Sequence, residues 1–264
     1  MINLDFRKKS NGVPILSKDE MEILAEMVIN DYNPKLLNEP GILDVEDFAE
    51  SYTNLEMDYK DLTHNQSILG MTVFCDCYIP VYNAEQNKAE RIPVDEGTII
   101  IDNCLLNDSQ LRRGRFTLGH EISHWLLHRH IYMINKNQMS LFDLLPNDTS
   151  PVIKCRSIDI ENTGRRQLKT DDDWIEWQAD YMASALLMPK KAFTRAVNQK
   201  FKAMGLKKNY FEVGTDLELN LRAQVLSYEL ADLFDVSVTA VKIRLKGLNF
   251  IRKQKESNQL LFTI

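Results

Sequence analysis

The chain of 264 residues holds five histidines, and two of them stand four positions apart with a glutamate after the first: His120-Glu121-Ile122-Ser123-His124. On an α-helix, positions i and i+4 lie about 40° apart in projection, so both imidazoles share a face and can hold one ion. Neutral imidazole nitrogens suit zinc, and a catalytic zinc site takes three protein ligands and keeps one position open. Glu121, about 100° further round the helix, stands beside such an ion rather than on it. A carboxylate there can serve as general base towards water activated by the metal. His and Glu on a helix can equally be ordinary surface or core residues, so the reading turns on a third ligand.

Two residues compete for that place. His130 completes a His-Glu-x-x-His-x-x-Leu-x-x-His run, the histidine spacing of metzincin proteases. The residue that must turn the chain back is then Leu127, whose Cβ is strained in the left-handed conformation such a turn requires. If the helix simply continues, His130 falls about 240° from His124, on the wrong face. Glu176, in Glu176-Trp177-Gln178-Ala179-Asp180, shares a helix face with Asp180. Glu176 can complete a His-His-Glu set, and Asp180 can accept the remaining ring N–H of a ligand histidine and so fix its tautomer. His128 also lies on the ligand face, one turn or about 6 Å beyond His124, and is expected to contact backbone or substrate rather than metal. Nothing in the sequence identifies the group that stabilises an oxyanion; Tyr181 and His130 are candidates, and neither is assigned.

The elements that must position these residues are readable in part. Ser17-Lys18-Asp19-Glu20 forms a capping box, followed by Met21, Leu24, Met27 and Val28 at helical spacing to about Asn30. Asp44 opens a second helical stretch with Val45, Phe48 and Ala49 on one side. Residues 68–82 and 98–101 are β-branched and aromatic and predict strands; Cys75 and Cys77 read as strand packing rather than metal ligands. Leu111–His130 predicts the helix that carries the motif. Residues 131–170 are irregular, with turn signals at Pro146, Asn147, Asp148, Ser150, Pro151 and Asn162-Thr163-Gly164. Asp171-Asp172-Asp173 places carboxylates at the positive end of a helix running from about Trp174 to Met188, before Pro189. The order helices, strands, helices predicts an α+β fold.

These segments resemble a known family, the ImmA/IrrE metallopeptidases. The resemblance rests on Arg115-Phe116-Thr117-Leu118-Gly119-His120-Glu121-Ile122-Ser123-His124-Trp125-Leu126-Leu127-His128, and on Glu176-Trp177-Gln178-Ala179-Asp180 running into Ala185-Leu186-Leu187-Met188-Pro189. An ExxxD helix after HExxH is the gluzincin pattern. The likeness covers roughly residues 15–200 and is strongest over 112–190. It implies a zincin-like domain with Zn(2+) held by His120, His124 and Glu176, Glu121 as catalytic base and Asp180 behind the ligands. It also implies an intracellular endopeptidase acting on helix-turn-helix repressors. Gly119 and Ser123 depart from common family choices but are small. The 52 positions between His124 and Glu176 exceed the family's usual separation and mark 131–170 as an insertion, either a lid or a tolerated loop.

Charge divides the chain. Residues 1–180 carry 18 basic and 31 acidic side chains, whereas residues 181–264 carry 14 and 7. Residues 230–245 read as a short helix, a turn at Asp235-Val236-Ser237 and a second helix with Val241 and Leu245 inward, resembling a helix-turn-helix. Thr239, Lys242, Arg244 and Lys246 could face phosphates or bases, and Phe250–Ile264 could form a wing-like hairpin about Glu256-Ser257-Asn258. The expectation is therefore a metallopeptidase domain over 1–205 and a helix-turn-helix-like subdomain over 206–264, with a repressor as protein substrate. The alternative is a DNA-binding regulator with an inactive or sensory peptidase-like domain, its DNA contact made through the basic segment. Neither a signal-peptide core nor a bilayer-spanning run is present, and the cysteines show no CxxC pair, which predicts a cytoplasmic protein with no membrane partner.

Overall fold

The first helix, α1 (Lys18–Tyr32), starts where the sequence places its cap: the Ser17 hydroxyl accepts from the Glu20 amide at 3.2 Å, and the Glu20 carboxylate accepts from the Ser17 amide at 2.8 Å. Met21, Leu24, Ala25, Val28 and Ile29 are buried. Met27 is exposed, because it sits about 120° from the centre of that stripe. The computed structural model describes residues 1–136, 152–156, 168–214 and 216–253.

A short helix α2 (Lys35–Asn38) and α3 (Val45–Asp47) follow, the latter capped by Asp44 and widening into a π turn that buries Phe48, Ala49 and Tyr52. The chain then enters β1 (Glu56–Lys60), β2 (Ile68–Val73), β3 (Cys77–Asn83), β4 (Lys88–Val94) and β5 (Thr98–Asp102). The apolar run predicted as strand over 68–82 forms two strands, β2 and β3, because its halves serve different sheets. The main sheet has the order β1-β5-β2-β6, with β6 at Val152–Arg156, while β3 and β4 pair as a separate hairpin. β1 is parallel to β5, and β2 is antiparallel to both β5 and β6. Ile99 and Ile101 face the helical core, whereas Ile100 and Met71 pack with Ile79 and Val81 of the hairpin. Both faces of β5 are thus covered, which is why it reads as an unbroken apolar run.

Part of the segment expected to be an insertion therefore supplies β6 to this sheet. Its predicted turn signals lie outside the described residues. The motif helix α4 spans Leu111–Lys136 and is buried at every position from Thr117 to His128. α5 (Asp171–Leu187) packs against it, started by a capping box between Thr170 and Asp173.

After Pro189 come α6 (Lys190–Ala203), β7 (Phe211–Val213), α7 (Leu217–Phe234), α8 (Val238–Gly247) and β8 (Ile251–Lys253). Asp235 takes the left-handed conformation (φ 49°) between α7 and α8, and Ser237 caps α8. Val241 and Leu245 are fully buried, as read from the sequence. Arg244 is not available to a nucleic acid: it is 4% exposed, and its guanidinium grips the buried Glu22 carboxylate of α1 and the Met188 carbonyl. β8 pairs in parallel with β7. The turn expected at Glu256-Ser257-Asn258 lies outside the described residues. One buried cluster runs through side chains from Val13 to Leu245. No helix among the described residues is long and apolar enough to cross a membrane.

Candidate metal centre

Helix periodicity brings the two histidines of α4 together: His120 Nε2 and His124 Nε2 lie 2.9 Å apart, and both side chains are fully buried. α5 carries Glu176 opposite them, with carboxylate oxygens 3.4 Å from His120 Nε2 and 3.6 Å from His124 Nε2. His120, His124 and Glu176 are the set of potential ligands that converges among the described residues. A tetrahedral ion with bonds of about 2.0–2.2 Å requires ligand atoms about 3.3–3.6 Å apart; both Glu176 distances fall there, and the two histidine nitrogens lie closer, at 2.9 Å. Asp180 Oδ1 accepts a hydrogen bond from His120 Nδ1 at 2.9 Å, and with that proton on Nδ1 a neutral ring has its lone pair at Nε2. Burial, together with His120 and His128 nearby, pushes the pKa of His124 well down, and it is a neutral imidazole. Two nitrogen lone pairs and a carboxylate, whose Oε2 is buried without a hydrogen-bond partner, thus point into one space. Such a donor set repels itself unless a cation sits within it, and two imidazoles with one carboxylate are a set that zinc accepts.

Close packing makes this geometry possible. A Cβ placed on Gly119 would meet Leu187 and Ala183 of α5 at ordinary contact distances of 3.6–3.7 Å, so α4 and α5 approach with little between them. Ser123 satisfies its hydroxyl on the Gly119 carbonyl of its own helix. The two departures from the resembled family therefore leave the helix pair intact.

Glu121 faces the sheet side of α4. Thr72 of β2 donates its hydroxyl to Glu121 Oε2. At Gly70 on the same strand a Cβ would lie 2.7 Å from Glu121 Oε1 and 2.8 Å from Thr117 Cγ2, so only a glycine lets strand and helix approach this closely here. Neither Gly70 nor Thr72 was singled out by sequence reasoning, although an isolated glycine inside an apolar strand is a usable signal for close backbone approach.

The remaining candidates separate clearly. α4 continues without a turn at Leu127, and His130 points away from the centre, its Nε2 donating to the Gly12 carbonyl at 2.7 Å beside Phe6. It is not among the converging ligands. Tyr181 donates to Glu22 at 2.7 Å. His128, expected to touch backbone or substrate, instead is fully buried between His124 and Gln178. Burial drives its pKa down to about 3, against an opposing effect of the Gln178 hydrogen bond. Tyr132 is the phenol that feels the site: burial first, and then the carboxylates of Glu176 and Asp172, raise its pKa. Cys75 lies in the bend between β2 and β3 and Cys77 opens β3; neither belongs to a metal-binding group among the described residues.

Residues 159–246 match the model of a peptidase family, Peptidase M78, described as the IrrE N-terminal-like domain. The family is the one that the HExxH and ExxxD helices resemble. The match covers a third of the chain. It takes in Glu176 and Asp180 and runs through α8, but begins after His120, Glu121 and His124. No curated protein matches the chain.

Proposed function

Proceeding from that peptidase match, we propose that the chain is an intracellular zinc-dependent endopeptidase. The reading is carried by the convergence of His120 Nε2, His124 Nε2 and the Glu176 carboxylate, with Glu121 on the neighbouring face of the same helix. His120, His124 and Glu176 would hold Zn(2+). When bound, the ion supplies Lewis acidity, drawing electron density from a peptide carbonyl and acidifying water.

The chain's own residues do the rest. Thr72 fixes Glu121 Oε2, which orients Oε1 to take a proton from the attacking water. Glu121 then returns that proton to the departing amine, so that the peptide bond is hydrolysed without a covalent link to the enzyme. Asp180 holds His120 in the tautomer whose Nε2 can donate an electron pair. Burial of α4 keeps bulk water from the base and from both imidazoles.

The substrate we propose is a protein carrying a helix-turn-helix domain, a repressor, on the strength of the family likeness. Residues 1–205 would form the zincin-like domain, and 206–264 a helix-turn-helix-like subdomain that braces it. The alternative, a DNA-binding regulator, loses one of its basic contacts, since Arg244 is committed to Glu22. Thr239, Lys242 and Lys246 do remain exposed.

The test compares new protein N-termini generated in a lysate by wild type and by Glu121→Gln. Substrate cleavage confined to the wild type supports the proposal. Identical profiles, together with DNA affinity that falls steeply with salt, would favour the regulator.

A further inference from the structure

Behind His124 the structure contains a line of hydrogen bonds that leads out of the centre and ends on backbone. Gln178 Nε2 donates to the Pro14 carbonyl at 2.9 Å. That contact fixes the side-chain amide, because the flipped amide would set two oxygens against each other. Gln178 Oε1 therefore faces His128 Nε2, 3.0 Å away, and an oxygen there requires the proton to be on Nε2. A neutral His128 is then an acceptor at Nδ1, which lies 3.1 Å from His124 Nδ1. The proton between them belongs to His124, and its Nε2 is left with a lone pair aimed at His120 Nε2 and Glu176. Each link dictates the next, and Gln178, His128 and His124 are all fully buried, so water is not on hand to substitute for a missing partner.

We propose that Gln178 and His128, anchored on the Pro14 carbonyl, are positioning residues that lock His124 in its Nδ1–H tautomer and thereby tune the metal affinity of the site. His120 receives the same service from Asp180 in a single step; His124 receives it through an imidazole and an amide. The Pro14 anchor belongs to an N-terminal strap that is itself tied to both helices. His130 of α4 bonds the Gly12 carbonyl, and Lys9 and Asn11 bond Asp171 of α5. The inference rests on the metal reading for its consequence, but the tautomer itself is a property of the metal-free chain.

The experiment uses the full chain and two substitutions. Gln178→Met keeps the volume and removes both the acceptor and the donor. Gln178→Glu keeps an oxygen for the His128 Nε2 proton, and in its protonated form also a donor for Pro14. Histidine ring ¹⁵N spectra of metal-free protein report the tautomer, and chelator competition reports zinc affinity. The expected result is a single Nδ1–H form of His124 in wild type and Gln178→Glu. Gln178→Met is expected to mix the tautomers and weaken zinc binding by about 10–100-fold, the usual effect of losing an outer-shell partner. Unchanged tautomer and affinity in a folded Gln178→Met protein would overturn the lock while leaving the zinc site standing. A wild type without zinc affinity would overturn the site and the tuning together.

Discussion

At the scale of single residues, neighbouring atoms meet different demands. Glu121 is asked to move a proton and not to bind the ion, so Glu121→Gln should keep wild-type zinc content while lowering cleavage by at least about 10²–10⁴-fold. Metal analysis beside a cleavage assay checks this, and loss of zinc with the substitution would argue against a pure base. Gly70→Ala is a sharper test of the packing. The added Cβ would sit 2.7 Å from Glu121 Oε1, and displacement of a reacting group by about 1 Å can cost around 10²-fold. Zinc content should survive and turnover should fall. The pairing of His120 with His124 was legible in the sequence because helix geometry makes i and i+4 spacing a statement about space. The supports were not legible: Gly70 and Thr72 reach Glu121 across 51 and 49 positions of chain, and His128, expected on the ligand face to touch backbone or substrate, meets Gln178 across 50 positions.

At the scale of elements, the capped first helix, the motif helix and the helix that carries Glu176 announced themselves, whereas α6, most of α7 and several strands did not. Capping boxes at Ser17 and Thr170 are local side-chain-to-amide exchanges, so four adjacent residues suffice to define them. Thr170→Ala should cost about 1 kcal/mol of stability, measurable by denaturant unfolding, and loosen the first turns of the helix that presents Glu176. β1 and β4 have the polar sequences EMDYK and KAERIPV; β1 takes its place from β5, distant in sequence, and β4 from the adjacent β3 of its hairpin. The buried Glu22–Arg244 pair joins α1 to α8 across 222 positions, with Tyr181 also donating to the same carboxylate. Arg244→Met would leave that carboxylate buried without its counter-charge, and a loss of about 3–5 kcal/mol is expected. The double substitution Glu22→Gln with Arg244→Met should recover much of it, because the orphaned charge is gone. Equal losses in single and double variants would contradict the pairing.

For the whole molecule, the division of charge along the chain is partly undone by folding. The acidic and basic halves meet where Arg112 and Arg115 at the start of α4 bind Asp232 and Asp235, and Lys190 reaches Asp19. Of the basic stretch's own cations, Arg244 is paired inside the protein with Glu22, and Lys190 at the surface with Asp19. Exposed pairs are individually worth about 0–1 kcal/mol, and the larger buried cluster, from Val13 to Leu245, is the stronger tie. A bound ion should add to it. Zinc at about a hundredfold above its dissociation constant would contribute about 2.7 kcal/mol, so chelation should lower the unfolding temperature of wild type and leave that of Glu176→Ala unchanged. The central claim is most directly tested by zinc stoichiometry in purified wild type, Glu176→Ala and His130→Ala. The account predicts about one zinc per chain in wild type and His130→Ala, and none in a folded Glu176→Ala. Wild-type protein that takes up no zinc after supplementation, or a Glu176→Ala variant that keeps it, would contradict the site.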